Sequence, residues 1–164
     1  MELDLKDISL RDINESDLPL LCTIYGTTRI EELNRGTNWT DEVKKMFIEQ
    51  QFFAQHTYYQ DNYKNAKFYI IEKENVTIGR LYIDFFFEEK SIQIIDITLL
   101  PEWRKKNIGS SILNEIIKKA DENNLKVSIH VETFNPAMQL YKRLGFEKIS
   151  ETNGVYHLME WSSK

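Results

Sequence analysis

Residues 91–117 read SIQIIDITLLPEWRKKNIGSSILNEII, and the hydrophobic period of this stretch changes at its centre. Up to Leu100 it is rich in β-branched residues, which predicts a strand. From Ile108 onward the apolar residues recur at helical spacing, and residues 127–131 return to a strand pattern. A strand, a helix and a second strand in this order form a right-handed crossover between parallel strands. The stretch therefore predicts a mixed α/β sheet.

The segments on either side complete a predicted element order of βααβββαβαββ. Ser16 and Thr40 are the expected N-caps of two helices, the second of which ends near Tyr59. Because no Pro/Gly/Ser-rich linker interrupts the pattern, we expect one domain over residues 1–164. The remaining strands are predicted at residues 8–13, 68–71, 78–87, 146–149 and 155–161.

The composition excludes several classes of protein. Hydrophobic residues make up 41% of the 164 residues, which is enough for a core and excludes wholesale disorder. The net charge of -5 is unlike that of a nonspecific nucleic-acid binder, so no nucleic-acid partner is expected. Cys22 is the single cysteine and no Cys/His cluster has zinc spacing, so we expect no metal. No apolar run could span a bilayer and the first residues are acidic, so we expect a cytoplasmic protein with no membrane partner.

A cluster of cations stands where the central helix begins. Arg104, Lys105 and Lys106 precede a helix whose N-terminus already carries about half a positive charge, which is unfavourable unless an anion binds there. Gly109 would let a ligand approach the backbone, and the unpaired N–H groups of a helix start bind phosphate. The segment therefore predicts either a pyrophosphate site or a solvated basic turn.

Residues 135–146 read NPAMQLYKRLGF and predict a short helix. Asn135 is the expected N-cap, Pro136 takes the first helical position, and Gly145 follows the last turn. Tyr141 lies on the apolar face of this helix, so its ring points inward and its hydroxyl needs a partner. Tyr141 is therefore either a functional phenol or an ordinary core aromatic residue.

The two motifs together resemble those of the GNAT family of acetyl-CoA-dependent N-acetyltransferases. The family's phosphate-binding signature, Q/R-x-x-G-x-G/A, is matched from Arg104 to Gly109, with Asn107 in place of the first glycine. Its L-Y-x-x-x-G-F helix is matched from Leu140 to Phe146. The resemblance covers residues 6–161 in outline. It implies a mostly antiparallel central sheet flanked by helices, with a splayed parallel strand pair at the cofactor site.

The resemblance also implies roles for individual residues in binding acetyl-CoA as cosubstrate. Backbone groups of Ile97 and Leu99 would pair with the pantetheine arm, which Asn135 would also contact. The Leu99 N–H would polarise the acetyl carbonyl, and Tyr141 would protonate the leaving thiolate. The pyrophosphate would be bound at the start of the central helix by Arg104, Lys105, Lys106, Asn107, Ile108, Gly109 and Ser110.

Direct attack by an amine requires an acceptor for its proton, because an alkyl amine is mostly protonated at pH 7. His130 is the first candidate, since imidazole accepts a proton near neutrality. Glu132, on the same strand face, is the second candidate and Asp96 is the third. A water chain is a further alternative. For His130 the structural alternative is a strand histidine that is hydrogen-bonded to a neighbour.

The acceptor amine is expected to contact the segment between the first two helices. Arg29, Glu32 and Trp39 stand in that segment, where Trp39 offers a cation–π face, and Tyr82 adds a hydroxyl from a strand. The bland alternative is that this segment is a solvated loop.

The leading hypothesis is N-acetylation of a primary amine of a small molecule by direct attack. The alternatives are acetylation of a protein or peptide amine, and a non-catalytic CoA-binding or dimerising module. Phe85, Phe86 and Phe87 alternate between the faces of a strand, so at least one ring is exposed unless both faces are covered. A helix or the second subunit of a homodimer would provide such a cover.

Overall fold

The computed structural model describes residues 1–163 and contains one seven-stranded sheet in the order β1-β2-β3-β4-β5-β7-β6. The β4 and β5 strands pair in parallel and the other neighbours are antiparallel. This confirms the predicted mixed, mostly antiparallel sheet. The strands are β1 (Ser9–Asp12), β2 (Lys67–Lys73), β3 (Val76–Phe87), β4 (Ser91–Leu99), β5 (Lys126–Glu132), β6 (Glu147–Thr152) and β7 (Tyr156–Trp161).

Helices cover both faces of the sheet, and each face has its own apolar core. On one face, Ile112 and Ile116 of the central helix and Met138 and Tyr141 of the last helix pack on strand residues such as Ile129. On the other face, two N-terminal helices pack through residues that include Leu21, Tyr25 and Phe52. The helices are α1 (Leu18–Gly26), α2 (Ile30–Gly36), α3 (Asp41–Asn62), α4 (Ile108–Glu122) and α5 (Met138–Arg143).

The start of α1 differs from the prediction. Ser16 is not its N-cap, because a 3-10 helix over Glu15–Asp17 precedes α1. Asn14 caps this turn instead: its Oδ1 accepts from the Ser16 backbone N–H at 2.9 Å, and the Asp17 carboxylate accepts from the Asn14 N–H at 2.8 Å. Asn and Asp three residues apart satisfy each other's free backbone groups, which a single serine cannot do.

The segment between the first two predicted helices, for which a solvated loop was one alternative, contains a helix that the sequence did not predict. This helix is α2, with Glu31 and Glu32 in its first turn and Arg35 in its last. These charges match the helix dipole at both ends, although no residue of α2 is buried. The absence of an apolar period therefore hid the helix. The Thr40 cap of α3 is confirmed, since its Oγ1 accepts from a backbone N–H in the first turn.

The last helix begins later than predicted. Pro136 lies in a turn, in which Asn135 Oδ1 accepts from the Ala137 N–H at 2.8 Å and the Asn135 carbonyl accepts from the Met138 N–H at 3.0 Å. This tight turn displaces the start of α5 by two residues. Gly145 has a φ of 100°, as expected for a glycine beyond a helix end.

The exposed ring predicted in the Phe85–Phe87 run is that of Phe86, which is 59% exposed. Its neighbours Phe85 and Phe87 are partly buried. Among residues 1–163, no helix combines the length and apolar character needed to cross a membrane.

Candidate active site

The parallel pair β4–β5 opens at its carboxyl end. Cross-strand pairs run from Ser91 with Lys126 to Ile94 with Ile129, although β4 continues to Leu99 and β5 continues to Glu132. A cavity of about 50 Å³ occupies the opening. Its lining includes several of the predicted site residues: Asp96, Ile97, His130, Asn135 and Tyr141. We refer to this opening as the cleft.

A bulge in β4 decides which side chains face which core. Ile94 pairs with Ile83 and Asp96 pairs with Tyr82, so Ile95 is an extra residue. Strict alternation would direct Asp96 to the α4 face, together with Ile94. The bulge instead places Ile97 and Leu99 against the α4 core and turns Asp96 to the face of α1 and α3.

The backbone groups of Ile97 and Leu99 face the cleft. The Leu100 N–H donates to the Ile78 carbonyl at 2.8 Å. Leu100 and Ile78 therefore form a hydrogen-bonded pair. Because hydrogen-bonded and non-hydrogen-bonded pairs alternate along antiparallel strands, Leu99 and Gly79 form a non-hydrogen-bonded pair, and the N–H and C=O groups of each point away from the other strand. The same holds for Ile97 two residues earlier. Both residues therefore present backbone groups to the side where β5 has separated.

Gly79 permits the close approach of β3 to this part of β4. A Cβ atom at Gly79 would collide with the Thr98 carbonyl oxygen and lie 3.0 Å from the Leu99 Cα. Any side chain there would displace the strand whose backbone borders the cleft.

The loop before α4 has the geometry of an anion site. Asn107, immediately before α4, has a left-handed backbone with φ 65° and ψ 9°. Glycine adopts this conformation freely and asparagine is among the residues that tolerate it best, which accounts for Asn107 in the signature. The first intrahelical bond runs from the Ser111 N–H to the Asn107 carbonyl at 3.0 Å. The N–H groups of the residues between them are thus free of helical partners.

Gly109 lies in the first turn of α4 with space beside it. A Cβ atom there would be 3.8 Å from Leu99 Cδ1, an ordinary contact. The packing of the protein itself therefore does not require glycine at this position.

The cations of this loop differ in their contacts. Arg104 donates from Nε to the Leu99 carbonyl at 2.8 Å and from Nη2 to Thr27 Oγ1 at 3.1 Å. The Lys106 ammonium lies 5.4 Å from the centre of the Trp103 ring. Lys105 is exposed. Arg104 therefore borders the cleft and connects it to the turn after α1.

Tyr141 forms part of the cleft wall on the α4 face. Its side chain is 4% exposed and its ring packs edge-on against Phe146, with centroids 5.6 Å apart. Burial raises the pKa of Tyr141 well above its ordinary value, and the negative charge of Asp96 adds to the rise. The hydroxyl therefore keeps its proton at neutral pH, as a proton donor must.

The three candidate bases lie on the opposite face from Tyr141. Ile129 and Val131 of β5 pack in the α4 core, so His130 and Glu132 point to the face of α1 and α3. The Glu132 carboxylate forms an ion pair with Arg29 at 3.1 Å, and the Asp96 carboxylate forms one with Arg80 at 2.6 Å. His130 is exposed, and within residues 1–163 it makes no side-chain hydrogen bond or ion pair.

The predicted substrate residues separate into two groups. Arg29 brings Glu32 and Glu132 together, with Glu32 at 3.6 Å, and also donates to the Tyr25 hydroxyl at 3.3 Å. Tyr82 and Trp39 do not join this group. Tyr82 is 1% exposed and packs against Tyr59 and Phe68, so it belongs to the core on the face of α1 and α3. Trp39 is 39% exposed and packs on Phe47 of α3.

Comparison with known proteins assigns this arrangement to a family. Residues 31–146 match the Acetyltransferase (GNAT) family. The chain belongs to the GNAT family. The match includes the cleft, the loop before α4 and the segment from Asn135 to Phe146.

Curated GNAT relatives match parts of the chain. An N-alpha-acetyltransferase of Saccharolobus solfataricus is 33% identical over 66 residues, which are 38% of this chain and 40% of that protein. The uncharacterized N-acetyltransferase CgeE of Bacillus subtilis is 26% identical over 87 residues, which are 52% of this chain and 33% of that protein. The chain thus spans less than half the length of each of these two relatives.

Solved GNAT structures show the same fold over nearly the whole chain. PaiA N-acetyltransferase from Thermoplasma acidophilum, in complex with coenzyme A, superposes with a TM-score of 0.67 at 17% identity, covering 96% of this chain and 100% of that one. Arabidopsis thaliana Naa50, in complex with the bisubstrate analogue CoA-Ac-MVNAL, superposes with a TM-score of 0.61 at 16% identity, with the same coverage. At these identities the likeness establishes the GNAT fold alone.

Sequence reasoning missed two residues that lie behind the cleft-lining Asp96. Arg80 is 1% exposed and binds Asp96, and Gln55 of α3 accepts from Arg80 Nη2 at 2.9 Å. The signal for Arg80 was a lone charge in the apolar run of residues 78–83. No pattern marked Gln55, which lies among polar residues of a long helix. The part of the chain described here also contains no group of three or more His, Cys, Asp or Glu side chains placed to bind a metal ion.

Proposed function

We propose that the protein transfers the acetyl group of acetyl-CoA to a primary amine of a small molecule. One observation carries this proposal. The parallel pair opens so that the backbone groups of Ile97 and Leu99 face a cleft whose wall contains the buried Tyr141. A pantetheine arm has amide groups that can pair with these backbone groups, as a third strand would. Asn135, which lines the same cleft, would contact the arm.

The loop before α4 suits the pyrophosphate of acetyl-CoA. Free N–H groups of Ile108, Gly109 and Ser110 point out of the helix N-terminus, where the dipole favours an anion. Arg104, Lys105 and Lys106 supply the opposite charge, and the exposed Asn107 borders them. Since the packing of residues 1–163 does not require a glycine at 109, close approach of a ligand to the backbone is a reason for its presence there.

The two faces of the sheet divide the chemistry. The amine nitrogen attacks the acetyl carbonyl carbon, the new N–C bond forms, and the C–S bond breaks. The Leu99 N–H stabilises the negative charge that develops on the carbonyl oxygen. Tyr141 donates its proton to the departing sulfur, and His130 accepts the proton released by the amine. The donor and the acceptor of protons lie on opposite faces, so they do not compete for one position.

The contacts around the acceptor side favour a small substrate. Arg104 binds Thr27 Oγ1, and Arg29 binds the Glu132 carboxylate. The turn from Thr27 to Arg29 is therefore connected to both strand ends that border the cleft. We infer that these two contacts restrict access to the cleft from the side of α1 and α2, which favours a small acceptor over an extended peptide.

Acetylation of a peptide amine is the second candidate. It is supported by the relative named N-alpha-acetyltransferase and by the fold shared with Naa50, which was solved with a peptide bisubstrate analogue. A peptide acceptor would require the Arg29–Glu132 ion pair to open.

Thiol release from acetyl-CoA tests the proposal. The purified protein is assayed with a panel of small primary amines and with short peptides that carry a free α-amine. We expect release with a small amine, with kcat/KM at least tenfold above that of any peptide. Higher kcat/KM for peptides would select the second candidate. Saturable CoA binding without release for any acceptor would select a non-catalytic module.

A further inference from the structure

Arg80 is a buried cation that the proposed reaction does not use. It is 1% exposed, and a guanidinium removed from water must have its N–H groups paired. Its Nε donates to Asp96 Oδ2 at 2.6 Å and its Nη2 donates to Gln55 Oε1 at 2.9 Å. Its guanidinium also lies over the Tyr82 ring, 4.7 Å from the centroid. Contacts on three sides make Arg80 a fixed anchor for Asp96.

Asp96 has one carboxylate oxygen in use and one available. Its hydrogen bonds from Arg80 Nε and from Thr98 Oγ1, at 3.0 Å, both end on Oδ2. No hydrogen bond within residues 1–163 ends on Oδ1. The side chain is 25% exposed and lines the cleft. Because each oxygen of a carboxylate can accept about two hydrogen bonds, Oδ1 is available to a cation that enters the cleft.

The position of Asp96 depends on the bulge at Ile95. The bulge turns Asp96 away from the α4 core, toward the face on which His130 also lies. Burial raises the pKa of Tyr59, on α3, and of Tyr141, on α5, and the charge of Asp96 adds to both rises. Asp96 and Tyr141 line the same cleft, at the level where the acetyl group would be transferred.

We propose that Asp96 Oδ1 binds the ammonium group of the acceptor and that Arg80 is the positioning residue that holds this carboxylate in place. The inference rests on the proposed function. The acceptor then enters as a cation; after binding, the exposed His130 passes the ammonium proton to solvent, and it is then free to accept the second proton, which the amine releases on attack. An alcohol of the same shape offers Asp96 only a neutral hydrogen-bond donor in place of an ammonium, so the site selects amines at the binding step.

Binding of n-butylammonium tests the role of Asp96 without any need for turnover. Backbone amide signals in NMR spectra are followed as n-butylamine hydrochloride or n-butanol is added, with and without excess CoA. We expect saturable shifts at Asp96 and Thr98 with the amine only. In Asp96→Asn the dissociation constant should rise about 10- to 100-fold. In Asp84→Asn, which alters a buried aspartate of the sheet that does not line the cleft, the dissociation constant should change less than about twofold.

Equal responses to the amine and the alcohol, or unchanged amine binding by Asp96→Asn, would overturn the inference. Failure of the proposed function has a different signature, since it would appear as the absence of CoA binding in a calorimetric titration.

A double-mutant cycle tests the role of Arg80. Arg80→Lys keeps the charge but loses the planar fork that binds Asp96 and Gln55 together. We expect it to weaken n-butylammonium binding about tenfold in the wild-type background and to have no further effect in Asp96→Asn. A purely structural role would weaken binding by the same factor in both backgrounds, which would contradict positioning through Asp96.

Two variants keep this test interpretable. Arg11→Lys makes the same exchange in the Arg11–Asp17 ion pair, at 2.8 Å, and should leave amine binding unchanged. If Arg80→Lys unfolds, Gln55→Leu removes only the Nη2 contact. It should weaken binding in the same direction, again only when Asp96 is present.

Discussion

Tyr141 shows how one buried side chain acquires a fixed protonation state. Its hydroxyl is enclosed by the α4 core and lies near the negative charge of Asp96, and both effects oppose ionisation. Its pKa is therefore raised above the ordinary value of 10. A phenol with a raised pKa stays protonated throughout the neutral range, so under the proposal its proton is in place when the thiolate departs.

Tyr141→Phe is expected to lower kcat about 100-fold or more while CoA binding stays unchanged. The phenyl ring preserves the contact with Phe146, so the loss is that of the proton donor alone. Steady-state kinetics and a calorimetric titration measure the two quantities. Tyr25→Phe is the control, because that hydroxyl accepts from Arg29 outside the cleft. Unchanged kcat in Tyr141→Phe would remove the residue from the mechanism.

His130→Ala is expected to abolish the acidic limb of the pH profile of kcat/KM for the amine. On that limb a general base loses activity as it becomes protonated. The matched control is His157→Ala, since His157 lies on the neighbouring strand and contacts Glu151 at 3.4 Å. An acidic limb that persists in His130→Ala would assign the base to another group.

At this scale the sequence predicted which residues lie together better than where they point. Tyr141 and Asn135 line one cleft, and their motif, which has a fixed spacing in a short segment, had placed them together. The sequence does not reveal to which face of the sheet Asp96 points. Isoleucines stand on both sides of it, so both faces of this strand are apolar and the alternation of side chains does not identify its face. Only the cross-strand register, which depends on β3, reveals the bulge at Ile95.

At the scale of secondary-structure elements, helix starts determine both stability and binding. The 3-10 turn that precedes α1 is closed by an internal partner: Asp17 binds Arg11 through two hydrogen bonds, at 2.8 and 2.9 Å, and also accepts from the Asn14 N–H. The start of α4 has cations and free N–H groups instead. A protein helix start without an internal partner is available to a ligand anion.

Asp17→Asn is expected to destabilise the protein by about 1–3 kcal/mol at pH 7, because a charged, buried set of hydrogen bonds is lost. The Arg11 guanidinium lowers the pKa of Asp17 below its value of 3.8 in the unfolded chain. The stabilisation by the ionised Asp17 carboxylate is therefore present above about pH 4 and is lost as the pH falls through the folded-state pKa of Asp17. Urea unfolding of wild type and variant between pH 7 and about 2 measures this.

In this experiment the free energy of unfolding of the wild type and that of Asp17→Asn should become more similar as the pH falls. Asp12→Asn, at an exposed neighbour, should change stability by less than about 0.5 kcal/mol at every pH. If the difference in free energy of unfolding between wild type and Asp17→Asn stayed constant down to about pH 2, the stabilisation could not be assigned to the ionised carboxylate.

The elements themselves were predictable where the hydrophobic period is strong. The strand–helix–strand unit from β4 to β5 was predicted because its hydrophobic period changes abruptly at the loop before α4. The α2 helix was missed because it buries no residue and has no apolar face to detect. The start of α5 was displaced because Asn135 bonds to its own turn, which a capping rule does not distinguish from a helix start.

At the scale of the whole molecule, the sheet separates two groups of candidate residues. The α4 face holds the basic loop before α4 and Tyr141, and the opposite face holds His130, Asp96 and the Arg29 ion pairs. The cleft at the open end of β4–β5 is lined by residues from both faces. The net charge of -5 belongs to the surface as a whole, whereas the cations needed for acetyl-CoA are concentrated before α4.

Gly109→Trp is expected to abolish CoA binding without unfolding the protein. The ring would occupy the space beside the first turn of α4, which the protein leaves open, and would block the free N–H groups. Gly36→Trp is the matched control, because no atom lies within 4 Å of a Cβ atom at that exposed position. Thermal unfolding verifies that both variants fold. CoA binding retained by Gly109→Trp would place the phosphate site elsewhere.

Calorimetric titration of the wild-type protein with acetyl-CoA and with CoA tests the central claim most directly. The account predicts saturable binding of one molecule per chain, which is lost in Gly109→Trp and retained in Gly36→Trp and Tyr141→Phe. The absence of detectable binding to the folded wild-type protein would contradict the account.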